Sequence, residues 1–126
     1  MFENTSAIPN LAVRDIATAR RFYGDILGLP ETGTEGDDFV AYRTGGSDLF
    51  VYKSDYAGTN QATAVTWQVE DVDAAVRALR DKGVRFEHYD MPDMEHEGDV
   101  HVGHGMRIAW FKDPDGNILN IANKPA

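Results

Sequence analysis

The segment VRDIATARRFYGD, residues 13–25, is written a second time as VEDVDAAVRALRD, residues 69–81. At an offset of 56, Val13, Asp15, Ala19, Arg21 and Asp25 recur as Val69, Asp71, Ala75, Arg77 and Asp81, and Ile16 is matched by Val72. A chain that repeats itself at this spacing builds its fold from one supersecondary unit used twice. Each copy has the marks of a helix. Asp15 and Asp71 suit the N-cap, where a short carboxylate accepts a free backbone N–H at the positive end of the helix dipole. Apolar residues then follow at helical spacing: Ile16, Ala19, Phe22, Tyr23 and Ile26 in the first copy, Val72, Ala75, Val76 and Leu79 in the second. Gly28 and Gly83 stop the helices.

Working outward, strand-like runs flank both helices. AIPNLAV (7–13) precedes the first and TAVTWQV (63–69) the second. FVAYRT (39–44) and DLFVYK (48–53) follow the first helix and are joined through Gly45-Gly46, a hairpin signal. After the second come VRFEHY (84–89), RIAWFK (107–112) and NILNIA (117–122), the last two linked by the turn Asp113-Pro114-Asp115-Gly116. Each half therefore reads as strand, helix, then about three strands. The segment from Asp90 to Gly105 is rich in Asp, Glu, Gly and His and is expected to be a long loop.

Bulk composition narrows the function classes. The chain has 126 residues, 42% hydrophobic and 26% charged, with a net charge of −9. That suffices for one domain with a core. The acidic balance argues against binding nucleic acid or an anionic membrane surface. With no cysteine, disulfides and thiolate chemistry are excluded. The N-terminal residues carry neither the basic nor the apolar region of a signal peptide, and no apolar run approaches a membrane span, so a cytoplasmic location is expected.

The segments VRDIATARRFYGDILGL (13–29), VEDVDAAVRALRDKGV (69–84) and FKDPDGNILNI (111–121) resemble the vicinal oxygen chelate superfamily. This superfamily includes glyoxalase I, bleomycin-resistance proteins, fosfomycin-resistance enzymes and extradiol dioxygenases. The resemblance implies an α+β fold of two tandem βαβββ modules, each a curled sheet around a cleft with its helix outside. Residues 1–126 would form a single domain, with module 1 over about 5–55 and module 2 over about 62–124. It also implies a homodimer.

In metal-using members the ligands are His, Gln or Glu on the first and last strands of each module. Counting from the motifs, the corresponding positions here are Ile8, Phe50, Ala64 and Asn120. Three hydrocarbon side chains and one neutral amide do not hold a catalytic divalent ion. A slip of one residue does not rescue the set, because Pro9, Leu11 and Val65 are also non-ligands. No metal and no other cofactor is expected.

Strand alternation places Leu119, Ile121, Trp67 and Phe111 on the helix side. The cleft side then takes Ile8, Asn10, Ala12, Phe50, Tyr52, Ala64, Thr66, Gln68, Trp110, Lys112, Ile118, Asn120 and Ala122. The expected ligand-binding set is Asn10, Phe50, Tyr52, Thr66, Gln68, Trp110 and Asn120, suited to a small apolar or aromatic molecule fixed by neutral hydrogen bonds. Trp110 and Tyr52 read equally well as core, Asn120 as a structural amide, and Gln68 and Thr66 as a dimer seam. Drug-binding members of the superfamily work in this way without metal. The alternative function is a glyoxalase-type lyase, isomerase or dioxygenase using the histidines of the 90–105 loop or Asn120 in an unusual site, although those histidines read first as part of a solvated loop. His101, His104 and Glu95 are its candidate metal ligands, and His104 its candidate acid or base on a lid flexed at Gly103 and Gly105. A third reading is a structural or regulatory dimer with a vestigial cleft.

Overall fold

A computed structural model describes residues 1–125, arranged as two units. Unit 1 contains residues 1–61 together with 114–117; unit 2 contains 62–113 and 118–125. The fold is the α+β arrangement of strands and few helices that the sequence implies.

Unit 1 begins with β1 (Asn10–Val13). Helix α1 (Ile16–Ala19) follows and continues without a break as π-helical turns over Arg20–Ile26. Asp15 caps it as expected: its Oδ2 accepts the Thr18 N–H at 3.1 Å. The sequence leads one to expect regular α-helix throughout. Instead the Leu27 N–H reaches back five residues to the Phe22 carbonyl, and the wider turns accommodate two consecutive aromatics, Phe22 and Tyr23, in the core. Their rings meet edge to face at 5.0 Å.

Strands β2 (Glu31–Glu35), β3 (Phe39–Thr44) and β4 (Ser47–Lys53) complete a sheet of order β1-β4-β3-β2. β1 runs parallel to β4, and β3–β4 is a hairpin closed by the Thr44–Ser47 pair around Gly45-Gly46. Strand β2 has no counterpart among the expected strands; all of its residues are exposed, so it lacks the apolar alternation by which strands are recognised. One face of the sheet is covered: Leu11, Val13, Val40, Tyr42, Leu49 and Val51 are buried beside Ile16, Ala19, Phe22 and Tyr23. Each such side chain contributes about 2 kcal/mol of apolar burial, which is what holds the helix on the sheet.

The turn 114–117 interrupts the second repeat in sequence yet belongs to unit 1. The Asp115 carboxylate accepts the Arg14 N–H at 3.2 Å, and the buried Asn117 amide donates to the Ala12 carbonyl at 2.8 Å. Gly58 lies so close to the Asp115 carbonyl that a Cβ there would sit 1.9 Å from its oxygen.

Unit 2 starts with β5 (Thr63–Gln68) and α2 (Val72–Asp81), capped by Asp71 accepting the Ala74 N–H at 2.9 Å. The strands after α2 depart from expectation in two places. VRFEHY reduces to β6, Phe86–Glu87. The expected loop contains a hairpin, β7 (Glu95–Glu97) with β8 (Val100–Gly103). Polar residues hid it: every residue of β7 is exposed, and the buried residue at the centre of the pairing is a histidine, His101 on β8. β9 (Met106–Lys112) and β10 (Ile118–Ala122) finish a sheet of order β5-β10-β9-β8-β7, with β6 pairing beside β8 on β9. Ala109, Phe111, Leu119 and Ile121 are buried on the side of Val72 and Val76. Among the described residues no helix is long and apolar enough to cross a membrane.

Candidate functional site

In each unit the sheet face turned away from the helix carries the candidate residues. In unit 1 the register sets Asn10 opposite Phe50 and Ala12 opposite Tyr52, while Phe39 and Ala41 on β3 stand across from Tyr52 and Phe50. Alternation therefore brings Asn10, Phe50 and Tyr52 to one face. Phe39, absent from the expected set, joins them: its ring meets Phe50 edge to face at 5.0 Å. The same alternation on β3 would have found it. This aromatic face is open, with Tyr52 40% exposed and Phe39 and Phe50 half-buried. Asn10 is exposed and donates from its amide to the Ile8 carbonyl at 3.1 Å.

In unit 2, Thr66 lies opposite Asn120, and Asn120 opposite Trp110. Gln68 pairs with Ala122, one step along the same face. Thr66 and Gln68 are exposed. Trp110 and Asn120 are each only 7% exposed. Trp110 is held by its indole N–H donating to the Thr63 hydroxyl at 3.0 Å. What covers it was not legible in the sequence: the Tyr89 ring stands edge-on at 5.5 Å and the His101 ring at 4.8 Å. Three side-chain atoms in this layer are buried with no hydrogen-bond partner: the Tyr89 hydroxyl, His101 Nδ1 and Asn120 Oδ1. At the strand ends Lys112 pairs with Glu87 at 3.4 Å.

Of the four positions implied as metal ligands, Ile8 precedes β1 and the other three lie on strands. Phe50 faces outward beside Asn10, and Ala64 lies at the irregular step of the β5–β10 ladder, next to the Asn120–Thr66 pair. Ile8, Phe50 and Ala64 have no donor atom, and the Asn120 amide is one neutral group. That donor set does not fit a divalent ion.

The alternative set is not brought together. Glu95 pairs with Val102 while His96 pairs with His101, so Glu95 and His101 point to opposite sides of the hairpin. His104 stands on a turn, with φ of 53° and its ring in solvent 3.8 Å from Asp93. The segment expected as a long loop contains a paired hairpin, and His101 is buried there with its ring packed on Trp110. Among the described residues no group of three or more His, Asp and Glu side chains could hold a metal ion.

A different histidine cluster forms. The His96 and His101 rings lie 4.5 Å apart, and His88 is 5.2 Å from His96. His88 Nε2 donates to Asp99 at 2.8 Å, and this bond, with Arg80 at 2.7 Å, holds the Asp99 carboxyl below its usual range. Burial, and then the neighbouring His96, push the His101 ring below the ordinary histidine range.

Comparison with known proteins places this geometry. The chain is 28% identical over 125 residues to the Bacillus subtilis (strain 168) protein YraH, covering 88% of this chain and 91% of that one. Its fold is similar to the bleomycin-binding protein from bleomycin-producing Streptomyces verticillus, solved with copper(II)-bleomycin. The TM-score is 0.71 at 22% identity, covering 99% of this chain and all of that one. It is similar as well to lactoylglutathione lyase from Agrobacterium tumefaciens, with a TM-score of 0.70 at 16% identity over 94% and 93% of the two chains. Residues 6–121 match the profile of one family, and the chain therefore belongs to the Glyoxalase/Bleomycin resistance protein/Dioxygenase superfamily.

Proposed function

We propose that this protein binds a small apolar or aromatic molecule on its helix-free sheet faces, with no metal ion taking part. The observation that carries the reading is the open aromatic face of unit 1. Phe39, Phe50 and Tyr52 are presented to solvent beside the Asn10 amide, in a chain that buries Phe22, Tyr23, Tyr42 and Phe111. Exposed aromatics gathered on one face serve recognition, because each ring gains apolar contact and stacking when covered. Thr66, Gln68 and Asn120 add neutral hydrogen-bonding groups in unit 2. The metal-free part rests on the donor chemistry at Ile8, Phe50, Ala64 and Asn120. The Streptomyces verticillus protein, solved with copper(II)-bleomycin, supplies a first probe.

The test is calorimetric titration of chelator-treated protein with bleomycin, with and without copper, and with a panel of uncharged planar aromatics. Binding that survives the chelator and weakens at least tenfold in Phe50→Ala and Tyr52→Ala is expected. Binding that vanishes on chelation and returns with zinc, nickel, manganese or iron would refute the metal-free reading. Affinity for no probe would refute the ligand-binding reading. We also propose a homodimer. Among the described residues strand β5 pairs only with β10, and it exposes Thr63, Ala64, Thr66 and Gln68 along its length. Light scattering on the eluted protein is expected to give twice the 14.0 kDa chain mass.

A further inference from the structure

The peptide group of Tyr89 is held on both sides by imidazoles. Its N–H donates to His101 Nε2 at 3.0 Å, and its carbonyl accepts from His96 Nε2 at 3.1 Å. The two bonds make opposite demands. His96 must carry a proton on Nε2, since a carbonyl only accepts. His101 must not, since an N–H only donates. The neutral His101 ring therefore keeps its proton on Nδ1.

His101 sits where a second proton is badly tolerated. It is fully buried, edge-on to Trp110 at 4.8 Å, with the His96 ring 4.5 Å and the His88 ring 6.2 Å away. Among the described residues no carboxylate is hydrogen-bonded to it. Asp99, bonded to His88, is taken up by that ring and by Arg80 of α2. On β9 the neighbouring charge is Arg107, already paired with Asp73 of α2 and with Glu97 of β7. Burial, and then the charge of His96, disfavour a charged ring, with His88 adding to them; the backbone groups of Ile108 and Tyr89 favour it and are outweighed.

We propose that His101 is the pin of a proton-operated latch. Neutral, it accepts the Tyr89 N–H and keeps the Tyr89 ring over Trp110; protonated, it presents an N–H to an N–H, frees Tyr89 and bares Trp110. Because burial opposes the charge, the latch opens below the ordinary histidine range of about 6.5 rather than at neutral pH. The latch stands on its own geometry and holds whether or not the sheet faces bind a ligand.

The experiment uses the ligand-free full chain between pH 8 and pH 5. Acrylamide quenching is read in a Trp67→Phe background, which leaves Trp110 as the reporter. The quenching constant is expected to rise at least twofold on acidification, with a parallel loss of hydrogen-exchange protection at the Tyr89 amide. Over the same range the His101 Nε2 resonance in ¹⁵N spectra is expected to move from an unprotonated to a protonated position. His101→Gln offers Tyr89 an amide oxygen that gains no proton, so its quenching is expected to stay flat; His88→Gln is expected to keep the response. Quenching and Tyr89 protection that remain constant while His101 titrates would overturn the latch, as would a His101 ring that stays neutral down to pH 5. So would a pH response undiminished in His101→Gln. Should that variant not fold, the wild-type ¹⁵N and exchange data alone decide.

Discussion

Gly58→Ala tests the claim that the turn 114–117 is structurally part of unit 1. Two penalties separate cleanly here, because Gly28 has the same backbone angle, φ of +74°, with open space around it. Alanine at a positive φ costs about 1 kcal/mol at either site. At Gly58 the new Cβ also meets the Asp115 oxygen at 1.9 Å, where ordinary contact begins near 3.4 Å. The turn must therefore retreat by about 1.5 Å, taken as the difference of those distances. It cannot do so and keep both the 3.2 Å bond from the Arg14 N–H to Asp115 and the 2.8 Å bond from Asn117 to the Ala12 carbonyl. Losing each costs about 1 kcal/mol, and more where the Ala12 carbonyl is left buried and unpaired. The expected destabilisation is about 3–4 kcal/mol for Gly58→Ala against about 1 kcal/mol for Gly28→Ala. Urea unfolding followed by circular dichroism measures both, at constant m-value. Two variants within 0.5 kcal/mol of each other would show that the turn does not bear on Gly58, and the reasoning would fail.

Three further outcomes are expected. Asn117→Ala, which removes the buried amide donating to Ala12, is expected to cost about 2 kcal/mol in the same urea assay. Asp71→Ala removes the acceptor of the Ala74 N–H and is expected to lower stability by about 1 kcal/mol, with weakened amide protection confined to the first turn of α2. Stability is expected to fall on acidification through His101. Its pKa is lower folded than unfolded, so the unfolded chain takes up the proton first. The loss begins below about pH 6.5 and continues down to the folded-state value, while above that range the residue contributes no pH dependence. Urea midpoints at pH 7.5, 6.5 and 5.5, compared with His101→Gln, check this; a difference between the two proteins that does not change with pH would contradict it.

The repeat made the main elements legible. Asp15 and Asp71 announce helices, and alternation along NILNIA and RIAWFK assigned Leu119, Ile121 and Phe111 to the helix side, where they are buried. These signals are local, so one strand or helix suffices to read them. What escaped is non-local. β2 is exposed throughout and exists because it pairs with β3, not because of its own composition. The β7–β8 hairpin contains His96, Glu97 and Gly98, residues that read as loop until Trp110 provides a surface for His101. The candidate face of unit 1 was visible except for Phe39, which alternation on β3 supplies. In unit 2 one residue that shields Trp110, His101, comes from the segment that read as loop, and the other, Tyr89, from the end of VRFEHY beyond the two residues that form β6.

The residence of 114–117 in unit 1 has a consequence for how the chain is made. Although the gene reads as a tandem repeat, the first half does not finish when its own residues leave the ribosome. Asp115 closes onto Arg14 and Asn117 onto Ala12 across separations of 101 and 105 residues. Contacts of that span are paid for in loop entropy before they return anything, and they slow folding. The nascent first repeat therefore waits with an unfinished edge until residues 114–117 have been synthesised, and a first repeat made alone would lack both bonds.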